Sequence, residues 1–155
     1  MGAINSAFNQ AAGAVAGAAL AIKHAKESDF SKAVTAEHAA LIANNQAVDA
    51  EAAAKDAKLE EEPTFIAASD AAAKEWDAEQ AYNKARDRKN ASYKTKTKKL
   101  TELDAAKRAY MELTNKLKSI DDMQQRAAEQ RAYADKASQI ASKAQQKYQS
   151  KWGNK

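Results

Sequence analysis

The chain has 155 residues, a formal net charge of +4, four glycines, one proline and no cysteine. The absence of cysteine excludes a disulfide framework and any thiolate site. The sequence contains 40 alanines against 19 leucine, isoleucine, valine and phenylalanine residues together, a composition that favours helices but supplies little material for a large core. We therefore expect an all-α protein of long, partly coiled-coil helices.

The first segment, residues 1–22 (MGAINSAFNQAAGAVAGAALAI), carries no charged side chain. Its larger apolar residues recur at helical spacing, and two glycines four residues apart leave a face that a second helix can approach closely. The segment reaches the 20 or so residues of a membrane span only if four polar side chains are included. We expect a separate Ala/Gly-rich helix that either inserts into a membrane or packs inside an oligomer, through these candidate residues: Phe8, Gly13, Val15, Gly17, Leu20 and Ile22.

The second segment, residues 23–62, is acidic and ends in three consecutive glutamates. The stretch SDFSK at residues 28–32 contains side chains that can accept the first free amide hydrogens of a helix, so a helix start is expected there. Larger and polar side chains then follow a strict alternation of four-residue and three-residue steps. This pattern predicts a coiled-coil seam at the following positions: Val34, His38, Leu41, Asn45, Val48, Ala52, Lys55 and Leu59.

The third segment, residues 63–99, begins at Pro63, which pushes its preceding residue out of the helical region and is well tolerated in the first turn of a new helix. We expect a helix from about residue 64 to residue 89, with Phe65, Ala68, Ala72 and Trp76 on one face. The stretch NASYKTKT, residues 90–97, is rich in poor helix formers and is predicted to be a turn.

The last segment, residues 100–155, is expected to be the longest helix, with a basic C-terminal part. Thr101 and Asp104 have the spacing of a capping box near its start, and Gly153 is expected to end it. A seam of apolar residues runs along its first half and continues with alanines and polar residues. The candidate oligomer seam consists of Leu103, Tyr110, Leu113, Leu117 and Ile120.

A basic cluster surrounds the predicted turn, with eight positive side chains against the single acid Asp87. Its members are Lys84, Arg86, Arg88, Lys89, Lys94, Lys96, Lys98 and Lys99. Such a cluster can neutralise phosphates, and Tyr93 in its midst can stack on a base. The alternative is a solvated basic bend that pairs with residues 60–62 of a neighbouring copy. Because no groove-reading motif is present, any contact with DNA would be independent of sequence.

No pattern in the sequence indicates catalysis. The two histidines, His24 and His38, are too far apart for a metal-binding pair, and no cluster of ligands surrounds them. Asp121 and Asp122 lie in a predicted helix without a pocket, and no glycine-rich loop follows a strand. We expect a protein that is not an enzyme and has no metal site, no cofactor and no small-molecule substrate.

The uncharged start, GAINSAFNQAAGAVAGAALAI, is followed by Ala/Gln/Lys-rich helix such as DDMQQRAAEQRAYADKASQIASKAQQKYQSKW. In composition and layout, the whole chain resembles small internal virion proteins of bacteriophages, namely the DNA-ejection proteins of short-tailed phages and the DNA-pilot proteins of small icosahedral phages. The resemblance implies a protein that travels inside the particle and leaves with the genome or ahead of it. It also implies assembly into helical tubes or pores in the bacterial envelope. The chain is shorter than is usual for that class, and no diagnostic motif carries a site residue over.

The favoured hypothesis is a bacteriophage virion component that assists genome delivery by oligomerising and inserting residues 1–22 into the host envelope. Its expected partners are copies of itself and other virion proteins, with a membrane and DNA as further candidates. A second hypothesis is a structural adaptor associated with a portal, tail or capsid, in which the N-terminal helix fills a groove. A third is a peripheral membrane or secreted helical protein of bacteria.

Overall fold

A computed structural model describes the backbone of residues 2–153 and the side chains of residues 9, 10 and 13–153. The described chain consists of three α-helices and contains no strand, which confirms the all-α prediction. The helices are α1 (Gly2–Leu59), α2 (Glu61–Asp87) and α3 (Tyr93–Trp152). At a rise of 1.5 Å per residue, α1 and α3 are each about 90 Å long.

The break between α1 and α2 is confined to Glu60, whose backbone angles remain close to helical values (φ −91°, ψ −5°). The amide of Glu60 donates to the carbonyl of Ala57, and the amide of Thr64 donates to the carbonyl of Glu60, each at 3.0 Å. Pro63 lies in the first turn of α2, where its missing N–H leaves no hydrogen bond unmade. The sequence therefore located this break to within about three residues.

The expected helix start at residues 28–32 is absent, because α1 continues through this stretch without interruption. Residues 2–22 thus form the beginning of α1 and not a separate helix. Alanine dominates both sides of the stretch, and no glycine or proline lies between Gly17 and Pro63 to stop the helix. The carboxylate of Asp29, expected to cap a helix, instead accepts a hydrogen bond from the indole of Trp152.

The connection between α2 and α3 comprises residues 88–92, so the predicted turn at residues 90–97 extends too far into α3. The hydroxyl of Ser92 accepts a hydrogen bond from the amide of Thr95 at 3.2 Å and thereby caps α3. The predicted capping box at Thr101 lies inside the helix, where the Thr101 hydroxyl donates to the carbonyl of Thr97 at 2.9 Å. Gly153 follows the last residue of α3, as predicted.

The chain divides into two compact units. In the first unit, residues 1–48 and 130–155, α1 and α3 run antiparallel: Trp152 contacts Asp29, and Arg131 donates a 2.8 Å hydrogen bond to Asn44. The core of this unit consists of small side chains. Ala43, Ala47 and Ala134 form a buried cluster against which Ala137 packs.

The buried face of α1 in this unit is a row of alanines separated by alternating steps of three and four residues: Ala33, Ala36, Ala40, Ala43 and Ala47. The predicted seam lies beside this row, and its side chains are exposed in the single chain; Val34, Leu41 and Val48 are 48%, 57% and 51% exposed. That prediction is therefore wrong for the contacts within the chain. Small side chains let two helices approach closely, and the larger side chains then remain outside.

In the second unit, residues 49–129, the last turns of α1 and all of α2 pack with the first part of α3. Gln124 donates to the carbonyl of Ala54 at 2.6 Å, and Lys116 lies 3.1 Å from Glu60. The buried residues of this unit are Ala54, Thr64, Ala68, Ala71, Ala85, Leu103, Ile120 and Ala127.

The predicted face of α2 is only partly correct. Ala68 is buried, whereas Phe65 and Trp76 are exposed on the surface. Ala72, also on the predicted face, is half-buried. The other buried and half-buried positions include the row Thr64, Ala68, Ala71, Glu75, Ala78 and Tyr82, in which most side chains are small. Both units thus bury alanine and leave larger apolar side chains of α1 and α2 in contact with water.

Candidate interaction surfaces

The N-terminal segment of α1 places its described apolar side chains in water. Val15 is 71% exposed, and Leu20 and Ile22 are more than half exposed. No atom outside the helix backbone lies within 4 Å of the position that a Cβ would occupy at Gly13 or Gly17. All described side chains from residue 13 to residue 24 are exposed, so this part of α1 packs against no other helix of the unit.

Two further expectations for this segment concern the side chain of Phe8 and the ability of the helix to cross a membrane. The Phe8 side chain lies outside the described residues, so its place on the stripe is a sequence prediction only. Within the described part of the chain, no helix is long and apolar enough to cross a membrane.

Immediately after this segment, the end of α3 is fastened to α1. The indole Nε1–H of Trp152 donates a 3.0 Å hydrogen bond to Oδ2 of Asp29, and Lys151 Nζ lies 3.5 Å from the same oxygen. The hydrogen bond from Trp152 and the positive charge of Lys151 hold the pKa of the Asp29 carboxyl below its ordinary value, against a smaller opposing effect of desolvation. Trp152 is itself buried.

An aromatic contact strengthens this junction. The centroids of the Phe30 and Tyr148 rings lie 5.4 Å apart, and the ring planes are inclined at 57°. Tilted pairs of this kind, in which the edge of one ring approaches the face of the other, are a preferred arrangement of aromatic side chains. Lys23, Lys26 and Glu27 join these two rings around a shallow groove. Two lysines therefore stand where the N-terminal segment meets the part of α1 that is covered by α3.

The candidate seam of α3 is used within the chain. Leu103 and Ile120 are buried in the second unit, and Leu113 and Leu117 are half-buried there. Tyr110 is more open, with 36% of its surface exposed. The sequence thus identified the face of α3 that packs against neighbouring helices. The use of this face between copies of the chain stays a prediction.

The exposed row Val34, Leu41 and Val48, which we name the outer apolar stripe, lies on one face of α1 because its members are seven residues apart. Contiguous apolar side chains on a surface typically mark an interaction site, whereas isolated ones do not. On α2, Phe65 and Trp76 are eleven residues apart and also share one face. The interior contacts of the two units leave both surfaces uncovered.

The eight residues of the predicted basic cluster are brought together by the connection between α2 and α3, and we name this region, residues 84–99, the basic tip. The five connecting residues limit the distance between the two helix ends to about 20 Å. Among the residues that the structure describes, only two of the eight cations form an ion pair: Arg86 with Asp87 at 3.2 Å, and Lys99 with Glu102 at 3.4 Å. Arg86 also lies over the ring of Tyr82, 6.0 Å from its centre.

One face of the first turns of α3 forms an open groove at the basic tip. Tyr93, which is 87% exposed, begins this face, and Thr97 and Thr101 continue it at four-residue steps. Lys94 and Lys98 stand beside them and are also exposed. Glu102, which pairs with Lys99, also lines the groove. The face therefore combines an aromatic ring, hydroxyl groups, two ammonium groups and one carboxylate, without an apolar residue large enough to enter a bilayer.

The sequence interpretation missed the Asp29–Trp152 contact and the alanine rows that form the cores. The alanine rows have a sequence signal, since Ala33, Ala40, Ala47 and Ala54 are seven residues apart. The contact between Asp29 and Trp152 joins positions that are 123 residues apart, and no local pattern points to it.

Comparison of the chain with models of protein families, with curated proteins and with solved structures finds no match. Within the described residues, no group of three or more acidic, histidine or cysteine side chains comes together in a way that could hold a metal ion.

Proposed function

We propose that this chain is a non-enzymatic bacteriophage virion component that assists genome delivery by oligomerising and inserting its N-terminal segment into the host envelope. The observation that carries the proposal is the exposure of Val15, Leu20 and Ile22 on a part of α1 that packs against no other helix of its unit. Burying each such side chain is worth about 1.5–3 kcal/mol relative to leaving it in water. A surface that covers all three is therefore strongly favoured.

A bilayer interface suits this segment better than an aqueous groove does. Lys23 and Lys26 follow the uncharged run, where their stems can extend along apolar surface while their ammonium groups remain at the level of the lipid headgroups. Gly13 and Gly17 leave room for a second copy of the helix. Because the segment is short and partly polar, we place its insertion in the assembled oligomer, where neighbouring copies share the cost of the polar groups.

Oligomerisation is supported by the outer apolar stripe. Val34, Leu41 and Val48 keep a seven-residue spacing, which is the repeat by which helices from different chains pair in coiled coils. A homo-oligomer would cover this stripe along several turns of α1 and bring several N-terminal segments to one place. The resemblance in composition and layout to internal virion proteins of bacteriophages supports the same arrangement in a delivery apparatus, with localisation in the virion and then in the host envelope.

Liposome flotation tests this function. Wild type is expected to float with vesicles, whereas a deletion of residues 1–22 is expected to remain with the soluble fraction. Val15→Asp should reduce partitioning about a hundredfold, because an acidic side chain costs roughly 2.5–3.5 kcal/mol near the bilayer centre. Ile140→Asp, an equivalent change at an exposed position of α3, is the matched control and should float like wild type.

A structural adaptor of a portal, tail or capsid is the second candidate, and the exposure of Phe65 and Trp76 on α2 favours it. Aromatic side chains are enriched in protein–protein interfaces. This candidate prevails if wild type never floats and Val15→Asp alters only the sedimentation of the lipid-free assembly. In that event the N-terminal segment fills a groove of a protein partner and does not enter lipid.

A further inference from the structure

We propose that the basic tip binds single-stranded nucleic acid independently of sequence, with its cations on the phosphates and Tyr93 stacked on a base. This inference goes beyond the proposed membrane insertion and does not depend on it. The basic tip belongs to the second unit, whereas the N-terminal segment belongs to the first. The two activities can therefore be removed separately.

The charge that the basic tip offers to a ligand comes mainly from five of its eight cations. Of the eight cations, Arg86 and Lys99 are engaged by neighbouring acids, and Lys96 is half-buried. Five are exposed and take part in neither of these ion pairs: Lys84, Arg88, Lys89, Lys94 and Lys98. No further acidic side chain lies between Asp87 and Glu102 in the sequence. The basic tip is thus a local concentration of positive charge on a chain whose net charge is only +4.

The lysines at the start of α3 lie on two opposite sides of the helix. Successive residues of a helix are rotated by about 100°, so Lys94 and Lys98 share one side while Lys96 and Lys99 point to the opposite side. A flat acidic protein surface would meet only one of these sides. A flexible polyanion can follow the cations of the connection and of the exposed side of α3 together, because its charges are spaced along a chain that bends.

Tyr93 favours a nucleic acid over other polyanions as the ligand of the basic tip. Its ring is 87% exposed and lies beside Lys94 at the start of α3. An exposed aromatic ring within a basic surface is the combination by which proteins hold single strands, since every base offers a face for stacking. The ordered bases of a duplex do not offer that face. Residues 84–99 contain no large aliphatic side chain, so a membrane surface would gain charge and the ring of Tyr93 from the basic tip but no aliphatic anchor.

The test is a titration of the full chain into a labelled oligodeoxythymidine of about 20 nucleotides, followed by fluorescence anisotropy at several salt concentrations. If about five phosphates are neutralised, the logarithm of the association constant should fall with the logarithm of the salt concentration with a slope of roughly −3.5. The tip variant Arg88→Gln/Lys94→Gln/Lys98→Gln should reduce this slope to roughly −1.5 and weaken binding.

The matched control is Lys118→Gln/Lys136→Gln/Lys143→Gln, which removes the same charge from exposed positions of α3 away from the basic tip. It should bind like wild type apart from a small general loss. Tyr93→Ala should weaken binding to the single strand about fivefold or more, whereas Tyr133→Ala, at another exposed tyrosine, should not. Circular dichroism of each variant should match that of wild type, since all these side chains lie on the surface.

Three results would overturn the proposal. One is an equal loss of binding in the tip variant and its matched control, which would leave only a general attraction to the positive chain. Another is tip-dependent binding of a polyglutamate peptide as tight as that of the oligonucleotide, which would assign the tip to an acidic protein. The third is a tip variant that still binds the oligonucleotide but no longer binds phosphatidylcholine/phosphatidylglycerol vesicles. That result would assign the tip to lipid. The vesicle measurement is made on the chain without residues 1–22, with and without the tip substitutions, so that lipid binding by the N-terminal segment does not mask binding by the basic tip.

Discussion

The hydrogen bond from the indole of Trp152 to the carboxylate of Asp29 fixes where the last turn of α3 meets α1. Because the two helices are antiparallel in this unit, the residues of α1 that precede this contact extend past the end of α3. The described side chains of residues 13–24 are accordingly exposed. A single contact between distant positions therefore separates the part of α1 that is covered within its unit from the part that is available to a partner.

Removing the indole donor should loosen the end of α3. In Trp152→Phe an aromatic ring remains but the N–H donor is lost, so the carboxylate of Asp29 keeps only its interactions with Lys151 and Lys147. We expect faster amide exchange in the last two turns of α3 and little change around Ala134 in the core. Trp76→Phe, at an exposed position of α2, is the control, and equal effects of both variants would contradict the role of the contact.

The same contact should respond to pH in a defined direction. The hydrogen bond from Trp152, followed by the charge of Lys151, lowers the pKa of Asp29 from its ordinary value of 3.8. The stabilisation is therefore complete above the ordinary value and is lost as the pH falls through the lowered value of the folded protein. Carbon-detected NMR titration of the Asp29 carboxyl should give a midpoint below 3.8.

Trp152→Phe provides the matched comparison, because it removes the largest cause of the shift and leaves the lysines in place. Its Asp29 midpoint should rise toward the ordinary value. A wild-type midpoint at or above that value, or one that is unchanged by the substitution, would show that the indole does not stabilise the carboxylate.

Enlarging a buried alanine should destabilise the first unit. Ala47 is fully buried and faces Ala134, which is 1% exposed, so a leucine at position 47 must push the helices apart. Overpacking of this kind typically costs about 1–3 kcal/mol. Urea unfolding of Ala47→Leu at a fixed protein concentration measures the loss, and Ala52→Leu at an exposed position of α1 should be close to neutral. Equal stability of the two variants would contradict the alanine core.

Sequence patterns predicted most of the helix ends and the buried face of α3, but not the buried face of α1 and only part of that of α2. The bounds of α2 and the end of α3 at Gly153 follow from proline, glycine and poor helix formers, which act locally. On α1, a row of alanines and a row of larger residues both have helical spacing, side by side. Hydrophobicity favours Val34 and Leu41 for the interior, whereas the close approach of two helices selects Ala33 and Ala40.

The candidate surfaces, too, could be predicted from the sequence only in part. The basic cluster could be predicted because its members are adjacent in sequence, and the connection between α2 and α3 keeps them together. The exposure of Val15 and Ile22 could not be predicted, because it depends on where α3 ends against α1. That position is set by Asp29 and Trp152, a pair that only the tertiary structure brings into contact.

The outer apolar stripe should govern self-association. Val34→Gln/Leu41→Gln/Val48→Gln removes the apolar side chains from this exposed face without touching the alanine core, so helix content should persist. We expect sedimentation velocity to shift toward smaller species than wild type at equal concentration. The control Met111→Gln/Tyr133→Gln/Ile140→Gln alters three exposed apolar residues of α3 and should sediment like wild type. A parent-like profile for the stripe variant would remove the stripe from the oligomer interface.

The most direct measurement of membrane insertion follows the environment of single positions in the N-terminal segment. Since the chain has no cysteine, Val15→Cys and Ile140→Cys can each carry one environment-sensitive fluorophore, the second as an exposed control on α3. On addition of phosphatidylcholine/phosphatidylglycerol vesicles, we predict a blue-shifted, brighter emission at position 15 that lipid-borne quenchers reduce, with no change at position 140. An unchanged emission at position 15, with vesicles in excess and the protein assembled, would contradict insertion.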